Sequence, residues 1–597
     1  MFAPTYNLAL ALVQGGALTH YWQKLVDPTF RGLYQPNAFD VAIMLPYFFV
    51  MAVLASYGIH RYHLVYNFYK NRKNVPGPPP AMSAWPKVTV QLPIFNERYV
   101  IERLVDAAAQ FDYPRELLDI QVLDDSTDET RQVARDCVER HRALGVPITY
   151  IHRDNRDGFK AGALQEGLKV ASGEFVAIFD ADFIPPADFL RRTVPYFTDP
   201  HLAMVQTRWT YINRSYSKLT EVEAILLDGH FAIEHSSRYR SNLFFNFNGT
   251  AGIWRRAAIE DAGGWQHDTL TEDTDLSYRA QLRGWRFLYL PEIECPSELP
   301  VEMNAFKSQQ ARWAKGLMQT AKKVLPRVLR SDAPAAVKAE AVFHLTANIS
   351  YPLMIFLSII LLPAMIVRFY QGWFQVLTID LPLFLASTCS VSSFYLAAER
   401  AFYPKTWKRT FWFLPFVMAL GVGIAVRNAF AVIEAIIGKK SEFVRTPKYK
   451  VEAGAQDRDA QDRNDWTKKS YRKSAGVMPW IEIGLGLYFA AAVAYSIQME
   501  NYATVPFFIL FVWGYLYTGV MSLAQPQIDR LTTLTKEGFS SVSTRTSTVL
   551  GLSRNVAPDA LVLAPAEGSL APQTFASTAE PVPTAAAPKA RAASAGS

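Results

Sequence analysis

The chain has 597 residues, half of them hydrophobic, a formal net charge of +7 and three cysteines, Cys137, Cys295 and Cys389. The scattered cysteines exclude a disulfide framework and show no metal-ligand spacing. A mean hydropathy near zero excludes both a small soluble domain and an all-membrane transporter, and a modest positive charge placed beside apolar stretches implies anionic lipid headgroups rather than nucleic acid.

In chain order, residues 7–18 are apolar but too short to span and lack a preceding basic region, so they read as interfacial or as an extra span rather than a signal peptide. "VAIMLPYFFVMAVLASYGI" (41–59) has 19 residues and no charge, close to the roughly 20 that cross a bilayer as a helix. From residue 87 apolar runs alternate with helical patterns: "KVTVQLPIF", "LLDIQVLDDS", "PITYIHR" and "EFVAIFDADF" read as strands of a mostly parallel sheet. Further apolar segments follow at 343–367, 381–398, 410–426, 478–497 and 503–523. The organisation expected is a membrane region at 1–79, a cytosolic α/β block at 80–330, a second membrane region at 331–525 and a largely disordered tail at 526–597, rich in Ala, Pro, Ser and Thr beyond about 555.

The positive-inside rule puts the basic stretch after residue 59 and the 439–477 loop, with its eleven Lys or Arg, in the cytosol. Counting crossings from 343 then requires 410–437 to re-enter the membrane or lie along its interface.

Three strands of the cytosolic block end in polar clusters: Asn96 and Glu97; Asp124 and Asp125 within "DDSTD"; and Asp180 and Asp182 within "DAD". Ligands of open α/β sheets sit at such strand ends. Two carboxylates about 4 Å apart repel by roughly 4 kcal/mol at an effective dielectric near 20, so something must compensate, and Mg²⁺ or Mn²⁺ takes oxygen ligands and bridges to phosphate. Neither a Walker loop nor a Gly-x-Gly-x-x-Gly after a strand is present to cradle phosphate by backbone alone. Two later motifs have ordinary explanations when taken singly. "TEDTD" around Asp273 suits a helix N-terminus, and "QQARW" (309–313) suits an interfacial helix with a Trp anchor.

Taken in order, "VLDDSTD" (122–128), "FDADF" (179–183), "TED" (271–273) and "QQARW" resemble the signature of membrane-integrated family 2 glycosyltransferases, in the cellulose synthase and mannan or glucan synthase-like branch. "RDNRDGFKAGAL" (153–164), "FNGTAGIWR" (247–255) and "EFVRTPKY" (442–449) extend the likeness over roughly residues 85–450. The resemblance implies a GT-A-type, Rossmann-like α/β domain inserted between transmembrane helices of a multi-pass protein of the inner or plasma membrane, its catalytic domain cytosolic. It also implies an inverting, metal-dependent transfer from a nucleotide-diphosphate sugar, UDP-glucose or GDP-mannose, to a growing glycan.

Carried over by position, Asp124, Asp125, Lys160 and Glu97 contact the donor nucleotide and Asp182 with Asp180 serves the metal. Asp273 is the general base, and Gln309, Arg312 and Trp313 border the diphosphate and acceptor. Phe443, Thr446 and Lys448 belong to a gating loop of processive synthases, in which Arg445 replaces the usual valine. The product expected is a β-glucan, mannan or glucomannan, β-1,4-linked and passed through the membrane. The same motifs also serve enzymes that add one glucose to diacylglycerol or ceramide, which the gating-like loop and the number of spans disfavour. A transporter or scaffold without catalysis is the remaining class, disfavoured because all four motifs keep their charged residues.

Overall fold

The computed structural model describes residues 38–79, 81–369, 381–439, 443, 445–452, 466, 469, 471, 476–502 and 504–549. The 7–18 stretch, most of 453–475 and the tail beyond 555 lie outside these.

A seven-stranded sheet organises the central block, in the order β3-β2-β1-β4-β6-β5-β7. Its strands are β1 (Val88–Ile94), β2 (Leu118–Asp124), β3 (Ile148–His152), β4 (Phe175–Ile178), β5 (Leu202–Tyr211), β6 (Gly252–Arg255) and β7 (Arg286–Ser297). β1 and β4 are buried along their whole length; β4 is accordingly a continuous apolar run, whereas β1 buries Thr89 and Gln91 between its apolar residues. Helices α2 (Ile101–Ala109) and α3 (Thr130–Ala143) follow β1 and β2, and α4 (Phe159–Val170) follows β3; α1 (Ala38–Lys70) precedes the block. Two buried glutamines within the strands meet, Gln91 Nε2 donating to Gln121 Oε1 at 3.1 Å.

The mixed sheet decides what meets at its edge. β1 lies between β2 and β4, all parallel, so their carboxyl ends deliver Glu97, Asp125 and Asp180 side by side. β6 runs antiparallel to both β4 and β5. Its starting end therefore reaches the same edge, with Ile178 opposite Gly252, and brings the Asn248–Gly249 turn beside the "DAD" loop.

Helix α5 (Lys218–Gly229) precedes that turn, and helix α6 (Glu272–Leu282) begins against it. After β7 comes α7 (Met303–Arg330), 28 residues long. Ala314, Met318, Ala321, Val324 and Val328 of α7 recur at helical spacing and form one cluster with Val432 and Ala435. Gly316 lets this helix approach the Leu270–Thr271 backbone, since a Cβ there would stand 2.9 Å from Thr271 N. At its start Lys307 Nζ donates to both oxygens of Glu482, at 2.5 and 2.7 Å, and to Ser522 Oγ at 3.1 Å.

Among the described residues, four helices are long and apolar enough to cross a membrane: α1, α8 (Ala335–Arg368), a helix at Met478–Gln498 and the Val505–Gln525 part of the last helix, Val505–Val549. The 410–437 stretch holds a pair, Trp407–Gly423 and Ala425–Ile436, bent by 43°. The apolar segment at 381–398 is not among the four. Its helical path is interrupted by a π-turn at Leu385–Cys389, and Phe394 and Ala398 pack against Leu64, Ala232 and Ile233.

Candidate active site

A cavity of about 160 Å³ opens at the carboxyl edge of the sheet. Its lining brings together Glu97, Asp125, Lys160, Asp180, Asp182, Asp273, Gln309, Arg312, Trp313, Phe443, Thr446 and Lys448, side chains spread over 350 residues of sequence. Asp124 stands apart from them. It is fully buried beneath the floor, its carboxylate accepting from Ser126 N at 2.9 Å and from the Tyr150 hydroxyl at 2.7 Å, so it shapes the turn that presents Asp125. Asp125 is held by both arms of the Arg153 guanidinium, Nε donating at 2.7 Å.

Electrostatics follows from crowding. Burial, reinforced by Asp182 and Asp180, pushes the Glu97 carboxyl up to about 7 against the opposing pull of Arg445. Burial and then the adjacent Glu272 push Asp273 up to about 7, with Lys160 acting the other way. Burial likewise raises Asp180 and Glu272. Two ammonium groups offset the remaining charge. Lys160 Nζ donates to Asp180 Oδ1 at 2.5 Å and to Gly249 O at 2.9 Å, while Lys448 stands 2.8 Å from Asp182. Burial disfavours the charged form of Lys160, but Asp180 and Glu272 outweigh it and its pKa rises.

The base candidate is oriented from both sides. Thr274 N donates to Asp273 Oδ1 at 2.6 Å. Gly249, at φ +82°, faces the other oxygen so closely that a Cβ would lie 2.8 Å from Asp273 Oδ2, a fit only glycine allows.

Across the mouth lies a strap formed by Phe443 and residues 445–452. Lys448 reaches the Glu298 carbonyl as well as Asp182, Tyr449 N donates to Glu298 Oε1 at 2.8 Å, and Tyr449 and Val451 pack with Val301 and Trp466. The Phe443 ring stacks beneath Arg312 at 4.6 Å. This strap explains a cavity smaller than the roughly 300–1,000 Å³ usual for ligand pockets. Arg312 Nε, both terminal nitrogens of Arg445 and the Thr446 hydroxyl are buried with no hydrogen-bond partner among the described residues, so the wall is rich in donors that an anion would satisfy. The acidic side offers only oxygen, from Asp180, Asp182 and Glu97, a donor set that fits a hard divalent cation.

Arg153, Glu272, Gly249 and Arg445 are site residues that motif reading did not assign. Arg153 opens the "RDNRDG" motif and Glu272 precedes the base candidate in "TED", but nothing in either motif foretells an ion pair with Asp125 or a carboxylate that raises its neighbour. Gly249 was visible only as part of a Gly- and Asn-rich stretch.

The block 86–316 matches the family described as glycosyltransferase like family 2, and apolar helices flank it. The chain is 47% identical over 254 residues to glucomannan 4-beta-mannosyltransferase 2 of Arabidopsis thaliana, a stretch covering 42% of this chain and 48% of that protein. It is 45% identical over 254 residues to glucomannan 4-beta-mannosyltransferase 1 of Oryza sativa subsp. japonica, covering 42% and 49%. These matches span about half the length of the curated relatives. Among solved structures, mannosyltransferase PcManGT from Pyrobaculum calidifontis in complex with GDP-Man and Mn²⁺ is similar at 21% identity and a TM-score of 0.43, covering 66% of this chain and all of that one.

Proposed function

We propose that the protein is a processive, inverting β-glycosyltransferase that builds a β-1,4-linked mannan or glucomannan from a nucleotide-diphosphate sugar, GDP-mannose first among the donors, and passes it through its membrane helices. The observation that carries this reading is the pairing, in one cavity, of a carboxylate raised to about 7, Asp273, with the donor wall of Arg312, Arg445 and Thr446. The names of the relatives favour mannose over glucose and a polymer over a lipid product.

In this mechanism Asp273 removes a proton from the acceptor hydroxyl as that oxygen attacks the anomeric carbon and the nucleotide diphosphate departs from the opposite face. Arg312 and Arg445 stabilise the charge that grows on the leaving group. Trp313 offers a flat apolar face for the acceptor sugar, and Asp125 with Glu97 faces the nucleoside. A divalent cation held by Asp182 and Asp180 would neutralise the diphosphate. Phe443, Thr446 and Lys448 cover the donor, and the basic 439–477 loop and the domain face the cytosol.

The test is incubation of washed membranes carrying the protein with labelled GDP-mannose or UDP-glucose and a divalent metal, beside an Asp273→Asn control. Ethanol-insoluble label that a β-1,4-mannanase degrades, absent in the control, supports the reading. Label confined to the organic phase replaces it with single-sugar transfer to a lipid.

A further inference from the structure

A second cluster of chemistry-bearing side chains lies away from the cavity, between α2 and α3. Cys137 and His141 sit one turn apart on α3, so both face the same way, and Asp106 of α2 faces them. Ligand atoms of the three lie within 4.8 Å of one another, and among the described residues no other three His, Cys, Asp or Glu side chains form such a group. His141 Nε2 is 2.7 Å from Asp106 Oδ1. Arg140 closes the outer side, its Nη2 donating to Cys137 Sγ at 3.2 Å and to Asp106 Oδ1 at 3.2 Å. The Cys137 side chain is buried, whereas Asp106 opens onto a groove that Glu102 also lines.

We propose that Asp106, Cys137 and His141 form a binding site for a thiophilic divalent cation of the zinc type, with Glu102 or water completing the shell. One thiolate, one imidazole and one carboxylate is a donor set that selects zinc over the hard cation suited to the oxygen-only cavity. Tetrahedral zinc separates such ligand atoms by roughly 3.3–3.6 Å, so the present spacing needs only small rotamer adjustments. Arg140, half exposed, can keep donating to the bound thiolate and carboxylate as an outer partner.

A metal-free cysteine is a thiol at neutral pH. Binding therefore breaks the S–H bond, forms an S–metal bond and releases the proton to solvent, while His141 coordinates through its Nε2 lone pair with its hydrogen on Nδ1. The cation would staple α2 to α3, the helices that follow the strands bearing Glu97 and Asp125. Sequence spacing hides the site because Asp106 is 31 residues from Cys137 and belongs to no Cys/His signature.

The experiment is titration of the purified, chelator-stripped full chain in detergent with Co²⁺, following the thiolate-to-cobalt charge-transfer absorption in the near ultraviolet. The oxygen-only cavity cannot produce that band. The expected result is saturation at one equivalent, displacement by Zn²⁺, release of about one proton per metal, and at least tenfold weaker binding in Asp106→Ala and His141→Ala, with the band lost in Cys137→Ser. Because Cys137→Ser alters a buried position, the two outer variants keep the test decisive. Absence of the band, its retention in Cys137→Ser, or an unchanged midpoint in both outer variants overturns the proposal.

Discussion

Asp273 can act as a base at neutral pH because burial and Glu272 raise its carboxyl to about 7, where a base is both ionised and strong enough to take a hydroxyl proton. In the proposed mechanism only the ionised form is active, so kcat/KM is expected to rise about tenfold per pH unit below 7 and to level off above it. A profile that stays flat from about pH 5.5 to 8 is incompatible with this role. Asp273→Asn is expected to lower kcat by about 10²- to 10⁴-fold with little change in donor affinity, as read by single-turnover transfer and donor binding. Gly249→Ala places a Cβ at 2.8 Å from the Asp273 oxygen on a backbone at φ +82°. It is expected to cost kcat about 10²-fold by displacing the base, again with donor binding retained.

The strap is the element on which access depends, and Glu298 is its clasp. This buried carboxylate accepts from Tyr449 N, and Arg103 holds it from behind at 3.1 Å. Arg103→Ala leaves Glu298 without its cation, and amides 446–452 are then expected to exchange hydrogen at least tenfold faster by mass spectrometry while the β1–β4 amides stay protected. Unchanged exchange would show that the Arg103–Glu298 pair does not hold the strap.

Elements of this kind also mark the boundary of what pattern reading reaches. The run that became β4 was legible because a strand buried on both faces needs a continuous apolar run, and β1 and β2, with the acidic ends they carry, were legible from apolar residues alternating with polar ones. The reversal of β6 was not, because a four-residue strand buried on both faces reads the same in either direction. That reversal is what sets Gly249 against Asp273. Likewise "FVRTPK" could be aligned with a gating loop, but the contact of Lys448 with Asp182 depends on the path of a strap 266 residues further along the chain. Asp124 and Asp125 look equivalent in "DDSTD"; the alternation of side chains at the end of β2 buries one and exposes the other to the cavity.

At the scale of the whole molecule, the domain built on the seven-stranded sheet and the apolar helices are joined through α7. Lys307 near its start is buried with Glu482, and breaking such a pair strands a charge. Lys307→Met is expected to destabilise the protein by about 3–5 kcal/mol, seen as a lower melting temperature in detergent, and Lys307→Met/Glu482→Leu is expected to recover most of the loss. A double variant no more stable than the single one would mean that the pair is not what holds this junction.

The same helix carries Arg312 and Trp313 to the cavity a turn and a half beyond Lys307, and then Ala314 to Val328 along Val432 and Ala435. Three surfaces of one rigid rod are thus keyed to one another in rotation. Each residue added to an α-helix turns everything after it by about 100° and advances it by about 1.5 Å, so a single alanine inserted between Lys307 and Gln309 would swing the face that lines the cavity away while the ion pair stayed engaged. α7 is an angular key: its sequence can drift, but neither its length nor its phase can change without uncoupling the site from the helices through which its product is proposed to leave.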